Sequence, residues 1–229
     1  IFNLLPIEEN FIDRIYKEKN KNFVNSFYSL NNKVTGESIN SKINRLVAKI
    51  KLNNIENIFV SSSENVAWLL NLRGRDNPNS PIPNCKIILT DKKKIYFFSC
   101  PKKINQIKKN KQYKNLIFCT YKDFSKVIYK LKGKNFCIDN LTCSISNESI
   151  ISKSFRIKLK IDPCYMMKSI KNKIEIKHTK DAHFKDGLAL TKFIFWIKNI
   201  NQKKITEIDA KNKLEKFRRL NKDYLFPSF

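Results

Sequence analysis

Glycine is nearly missing from this chain, with 4 among 229 residues. No G-x-S-x-G turn can therefore present a nucleophilic serine, and "VSSSENV" leaves Ser61, Ser62 and Ser63 without flanking glycines. A glycine-rich phosphate loop is excluded for the same reason. Histidine is equally scarce: His178 and His183 lie five residues apart, as do Asp181 and Asp186. Five residues turn a helix by about 140 degrees past its starting direction, so neither pair converges on one metal. The six cysteines contain no C-x-x-C pair, which argues against a zinc or redox motif. No apolar run approaches the ~18 residues of a membrane-spanning helix. The opening "IFNLLPIEENFIDRIYKEKN" has neither an initiating Met nor a signal-peptide pattern, so Ile1 reads as an interior residue of a longer chain.

What is abundant is positive charge. The formal net charge is +26, from 46 basic and 20 acidic residues. Such a balance suggests a polyanionic partner. Yet only 7 of the basic residues are Arg, the side chain suited to bidentate phosphate and base contacts. The lysines are dispersed among Asn and Ile, as AT-rich codons would produce, and the densest group, "KKINQIKKNKQYK", reads as a solvated helix face or loop. Specific nucleic-acid binding is not expected, although a phosphate-binding patch at Lys102 to Lys114 stays open. Cys85, Cys100, Cys119, Cys137, Cys143 and Cys164 occur singly in apolar surroundings such as "NLIFCT", which predicts buried free thiols in a reducing cytoplasm.

Short β-branched and aromatic runs alternate with amphipathic segments between Asn57 and Pro163. Strands are predicted at 57–60, 86–90, 95–99, 115–119, 135–139 and 154–160, with helices at "INQIKKN" and "KDFSKVIYKLK". Gly133 is expected to cap the second of these helices. The alternation implies an α/β layer with a mixed sheet flanked by helices. Ahead of it, Ile39, Ile43, Leu46, Val47 and Ile50 share one helical face, with Ser38 or Asn40 as the cap. The stretch from Asn10 to Leu30 reads as a connecting segment with Phe23, Phe27 and Tyr28 as anchors to something outside this domain.

After Pro163 one or two long helices are predicted, followed by a third helix behind the capping-box pair Thr206 and Asp209. The apolar end "YLFPSF" suggests a chain cut within a second domain. "VAWLLNLRGRDNP" joins a buried helix at Val66 to Leu72 to a polar loop running from Arg73 to Pro83. Gly74 is expected to allow an unusual backbone angle there, and Pro78, Pro81 and Pro83 to stiffen the path. Such a loop contacts a neighbouring domain or is a plain connector.

Three stretches carry a resemblance. "SSENVAWLLNLRGRDNPNSPIP" resembles the Xaa-Pro aminopeptidase signature W-L-L-N-x-R-G followed by D-x-P-x-x-P. "MKSIKNKIEIKHTKDAHFKDGLALTKFIFWI" is similar to the start of that family's catalytic domain, and "ITEIDAKNKLEKFRRLNKDYLFPSF" to its next helix and strand. All three follow in the family's order. The resemblance implies residues 1–30 as the end of a first amino-terminal domain, 31–163 as a second creatinase-like amino-terminal domain, and 164–229 as the opening of a truncated pita-bread catalytic domain.

It further implies a cytoplasmic enzyme, a homodimer without membrane attachment, that cleaves peptides with proline at the second position. Two divalent metals, usually manganese, would be held by two Asp, one His and two Glu. All five ligands would lie beyond Phe229, so none is carried over, and neither His178 nor His183 is one. This piece alone is expected to bind no metal and to be inactive. Trp68, Asn71, Arg73 and Asp76 are the expected interface or active-site-entrance residues. Two competing readings are a basic nucleic-acid-binding or scaffold module, whose affinity would fall steeply with salt, and a catalytically dead homologue ending at Phe229.

Overall fold

Alternation along the strands builds the centre of the molecule. The protein is described by a computed structural model covering residues 7, 11–15, 26–200 and 205–227. After a short helix α1 (Phe11–Ile15) come strand β1 (Tyr28–Ser29), helices α2 (Asn32–Thr35) and α3 (Ile39–Leu52), strand β2 (Asn57–Val60), helix α4 (Ser63–Leu69) and strand β3 (Leu72–Arg73). The chain continues through β4 (Lys86–Thr90), β5 (Ile95–Phe98), α5 (Pro101–Ile107), β6 (Leu116–Cys119), α6 (Phe124–Lys130), β7 (Asn135–Ile138), α7 (Ile145–Ser152) and β8 (Arg156–Leu159). Helices α8 (Cys164–Ser169), α9 (Lys173–Lys198) and α10 (Glu207–Arg218) complete it.

The main sheet has six strands in the order β6-β5-β4-β2-β7-β8. Its β2–β4 and β4–β5 pairs are antiparallel, and the other three are parallel. This is the expected mixed sheet, with helices on both faces as the near-continuous apolar runs of its central strands β2 and β4 require. Ile58, Val60, Ile87, Leu89, Ile95 and Phe97 point to one face and pack under α3, α4, α5 and α8. Phe59, Ile88, Phe98, Phe136 and Ile138 point to the other, beneath α6 and α7. Phe97 and Phe136 are fully buried, and truncating either to Ala would cost about 3–5 kcal/mol. The edge strand β8 exposes Arg156 and Leu159, and its Arg and Lys residues discourage edge-to-edge pairing.

Local signals act as expected at the helix starts. Ser38 is the cap of α3, its Oγ accepting from Ser41 N at 3.2 Å. Thr206 and Asp209 close the capping box of α10. The 26-residue α9 also starts at a capping box, with Asn172 as cap and Glu175 reaching back to its amide.

Other expectations are corrected. Phe23 lies outside the described residues, but Phe27 is buried in this domain's own core, edge-on to Phe97 with ring centroids 6.1 Å apart. Helix α6 stops at Lys130, and Leu131 is already extended, so Gly133 is not its cap. Gly133 has φ +122°, and a Cβ there would sit 2.7 Å from Glu56 Cβ. Close approach of two segments, in a backbone region L-residues avoid, is what demands glycine there. Four of the cysteines are buried and Cys100 and Cys143 half-buried, all six as free thiols.

A buried polar network carries the chain from the sheet into its last helices. Asn65 Nδ2 donates to Asp162 Oδ2 at 2.7 Å, and the Asp162 amide donates to Asp139 Oδ2 at 2.9 Å. The Cys164 amide donates to Asp162 Oδ1 at 2.8 Å. The ends of β7 and β8, helix α4 and the start of α8 are thereby tied at one point. Burial pushes the Asp162 carboxyl above its ordinary value.

Candidate functional site

The junction of α4 and β3 departs from the expected single helix through Leu72. The helix ends at Leu69, Asn71 takes a left-handed conformation (φ +50°), and Leu72 and Arg73 pair antiparallel with Ser29 and Tyr28. An Asn tolerates that backbone region better than other non-glycine residues, because its short amide can bond locally. The main-chain reversal thus falls on Asn71 and not on Gly74. Gly74 has no positive φ; its amide donates to Pro81 O at 3.0 Å, and a Cβ would meet Pro83 Cα at 2.8 Å. Glycine is required there because the two arms of the loop touch.

Asn71 and Trp68 are organised by Lys42, a residue not singled out from the sequence. Its ammonium donates to Asn71 Oδ1 at 2.7 Å and to Trp68 O at 2.8 Å, and lies 4.4 Å from the centroid of the Trp68 ring. Lys42 is only 1% exposed. Burial lowers its pKa from 10.5 to about 8; Glu175 and Glu37 oppose that shift, whereas Arg73 and Arg45 add to it. A signal was present: Lys42 occupies the stripe Ile39, Lys42, Ile43, Leu46, the spacing of a buried helical face. Trp68 Nε1 is buried without a hydrogen-bond partner among the described residues.

Arg73 and Asp76 both turn inward. Arg73 Nη1 donates to Ala67 O at 3.0 Å and to Leu72 O at 2.9 Å, satisfying a carbonyl that the end of α4 leaves open. Burial lowers its pKa, with Tyr28, Tyr113 and Glu175 acting in the opposite sense. The Asp76 carboxylate pairs with Lys103 of α5, and both side chains are almost fully buried. Its second oxygen accepts from Asn84 N at 2.6 Å. The four expected residues thus stand along one short stretch, yet they do not converge on a common reacting point. Each makes its hydrogen bonds or ion pair within its own domain, Trp68 through its carbonyl. What the loop exposes is Arg75 and its tip, Asn77 to Asn79.

On α9, His178, Asp181, His183 and Asp186 are all exposed. His178 Nε2 lies 3.5 Å from Lys33 O. Asp186 is held by Arg218 of α10 at 2.7 and 3.2 Å, and Lys185 pairs with Asp223. His178, Asp181, Lys185, Asp186, Arg218 and Asp223, but not His183, line a cleft of about 680 Å³ between α9, the end of α10 and Val34 of α2. Among the described residues no grouping of three His, Cys, Asp or Glu could hold a metal ion. No helix among them is long and apolar enough to cross a membrane.

Comparison with known proteins gives this arrangement a lineage. The Xaa-Pro aminopeptidase 1 of Dictyostelium discoideum is 29% identical over 96% of this chain and 37% of its own length. The Xaa-Pro aminopeptidase ApepP of Drosophila melanogaster is 27% identical over 99% of this chain and 38% of its own. The chain therefore spans less than two fifths of these relatives. Among solved structures, an X-prolyl aminopeptidase from Caenorhabditis elegans, described as a cytosolic enzyme with a di-nuclear active site, superposes with a TM-score of 0.85. It shares 22% identity over 97% of this chain and 38% of its own. An Xaa-Pro dipeptidase from Bacillus anthracis superposes with a TM-score of 0.61 at 17% identity, over 80% of this chain and 49% of its own. The model of the creatinase/prolidase N-terminal domain matches residues 18–175, and the chain belongs to that family.

Proposed function

We propose that this chain is the amino-terminal part of an Xaa-Pro aminopeptidase, an enzyme that hydrolyses the bond between an N-terminal residue and a following proline. The observation that carries the reading is the extent of the similarity. The family model stops at residue 175, but the alignments with Xaa-Pro aminopeptidases run on over 96–99% of the chain, through α9 and α10. The exposed apolar side chains of α9 support it as well. Phe184 and Phe195 are 79% and 71% exposed, which suits helices that pack against further protein.

In this reading residues 31–163 are the second amino-terminal domain and 164–229 the opening of the catalytic domain. Two divalent metal ions, manganese by family habit, would serve the reaction by activating a water and stabilising the oxyanion. The described side chains of this piece do not fit that centre, since none of them form a ligand set. Its own task is geometric: to narrow the approach to the active site and to contribute to a homodimer, with the Trp68 to Asp76 stretch at the domain edge. The six free thiols suit a reducing cytoplasm.

The purified 229-residue chain should release no amino-terminal residue from an X-Pro peptide with or without Mn²⁺, and the full-length protein should do so. Metal-dependent release by the short chain would overturn the assignment of the ligands to residues outside it. In the full-length protein, Trp68→Ala and Arg73→Ala should change the oligomeric state or KM. Neither changing would remove the entrance and dimer role.

A further inference from the structure

The α4–β3 junction is joined to the first turn of α9 by an unbroken series of polar contacts. Lys42 donates to Asn71 Oδ1. Asn71 Nδ2 donates in turn to Glu37 O at 3.0 Å. Glu37 follows Gly36 and Thr35, and Thr35 O accepts from Asn172 Nδ2 at 2.9 Å. Asn172 is the cap of α9, its Oδ1 accepting from Ile174 N at 3.0 Å and Glu175 N at 2.9 Å. Gly36 sits against the Asn172 amide so closely that a Cβ would collide with it, and its φ of +70° is itself unfavourable for other residues. Glu37 is fixed from the other side by Arg45, which grips its carboxylate at 2.7 and 3.0 Å.

Charge runs along the same line. The groups whose fields reach Lys42 are Glu175 of α9, Glu37, Arg73 of β3 and Arg45 of α3. Arg73 also feels Glu175. The buried Lys42 and the half-buried Arg73 thus both feel the Glu175 carboxylate at the start of the long helix. Together these contacts join the sheet domain to the start of α9.

We propose that Lys42 and Asn71 are positioning residues that hold the Thr35–Glu37 turn as a latch on the cap of α9, setting the direction of that helix from the α4–β3 junction. The latch is a property of this chain. Its consequence for catalysis, an α9 held in register with the remainder of the catalytic domain, rests on the aminopeptidase reading above.

Trp68 reports on the latch directly, because the Lys42 ammonium lies over its ring. With the only other tryptophan removed by Trp196→Phe, Trp68 emission in this chain should titrate near pH 8, and Lys42→Met should abolish that transition. Glu175→Gln removes a charge that favours the ammonium, so it should move the midpoint down, while Glu148→Gln on α7 should not. A midpoint that ignores Glu175→Gln would overturn the coupling.

Hydrogen exchange at fixed pH gives the second measure. Asn71→Ala should speed exchange of the Glu175 and Ile176 amides by about 10-fold relative to β4, the protection one hydrogen bond supplies. An equal rise in α9 and β4 would make Asn71 a general folding residue and overturn the latch. In the full-length protein, Glu175→Gln should lower kcat/KM with Lys42→Arg partly rescuing Lys42→Met; unchanged kinetics beside an intact titration would remove only the catalytic consequence. A full-length protein that hydrolyses no X-Pro peptide would count against the aminopeptidase reading and leave the latch standing.

Discussion

Lys42 Nζ and Asn71 Oδ1 are 2.7 Å apart in a site closed to solvent. A buried ammonium survives only where its donors find oxygens, and Asn71 supplies one from a strained left-handed backbone. Asn71→Ala should therefore lose both the acceptor and the tolerance of φ +50°, costing about 2–3 kcal/mol. Asn71→Gly should restore the backbone term but not the acceptor, and fall between the two. Urea unfolding of the three proteins gives the order; an alanine variant as stable as wild type would contradict it.

Lys42 also makes stability depend on pH. Its pKa is lowered in the folded state, so the folded chain binds fewer protons than the unfolded chain between about 8 and 10.5. Stability contributed by this group therefore rises as pH climbs through that window, and below it the charged form carries its full penalty. Other lysines and tyrosines titrate nearby, so the informative quantity is the difference from Lys42→Met. That difference should change across pH 8 to 10.5 and be flat from pH 6 to 7.

Asp76 and Lys103 form an ion pair away from water. Removing one partner strands the other, and Asp76→Ala or Lys103→Met should each cost about 3–5 kcal/mol. The double variant should cost clearly less than the sum of the two. Additive losses in a double-mutant cycle would mean that the two charges act independently.

The glycines separate local from tertiary demands. Gly187 lies within α9 with nothing within 4 Å of an added Cβ, so Gly187→Ala should stabilise this chain by roughly 0.5–1 kcal/mol. Gly133→Ala meets Glu56 Cβ at 2.7 Å in a backbone region reserved for glycine and should destabilise by more than that gain. Thermal unfolding of the pair tests both signs at once.

Those two glycines show how far local information reaches. The strands at 57–60 and 86–90, and the caps Ser38 and Thr206, depend on residues a few positions apart. Alternation of apolar side chains and a hydroxyl three residues from an amide act before any distant contact forms. The Trp-x-x-Asn-x-Arg stretch likewise marked the family without its geometry being known. Sequence by itself thus determined the α/β class, the six strands and the lineage.

Distant partners decided the rest. Leu72 and Arg73 left the helix because Tyr28 and Ser29, more than 40 positions away, offered a strand to pair with. Asp76 turned inward because Lys103 met it there, and Lys42 was buried because Asn71 and the Trp68 carbonyl compensated its charge. Gly36 and Asn172 came together across 136 positions of chain. Local preference can name a residue as polar, but only packing determines whether water or another residue answers it, and that choice placed every expected site residue here.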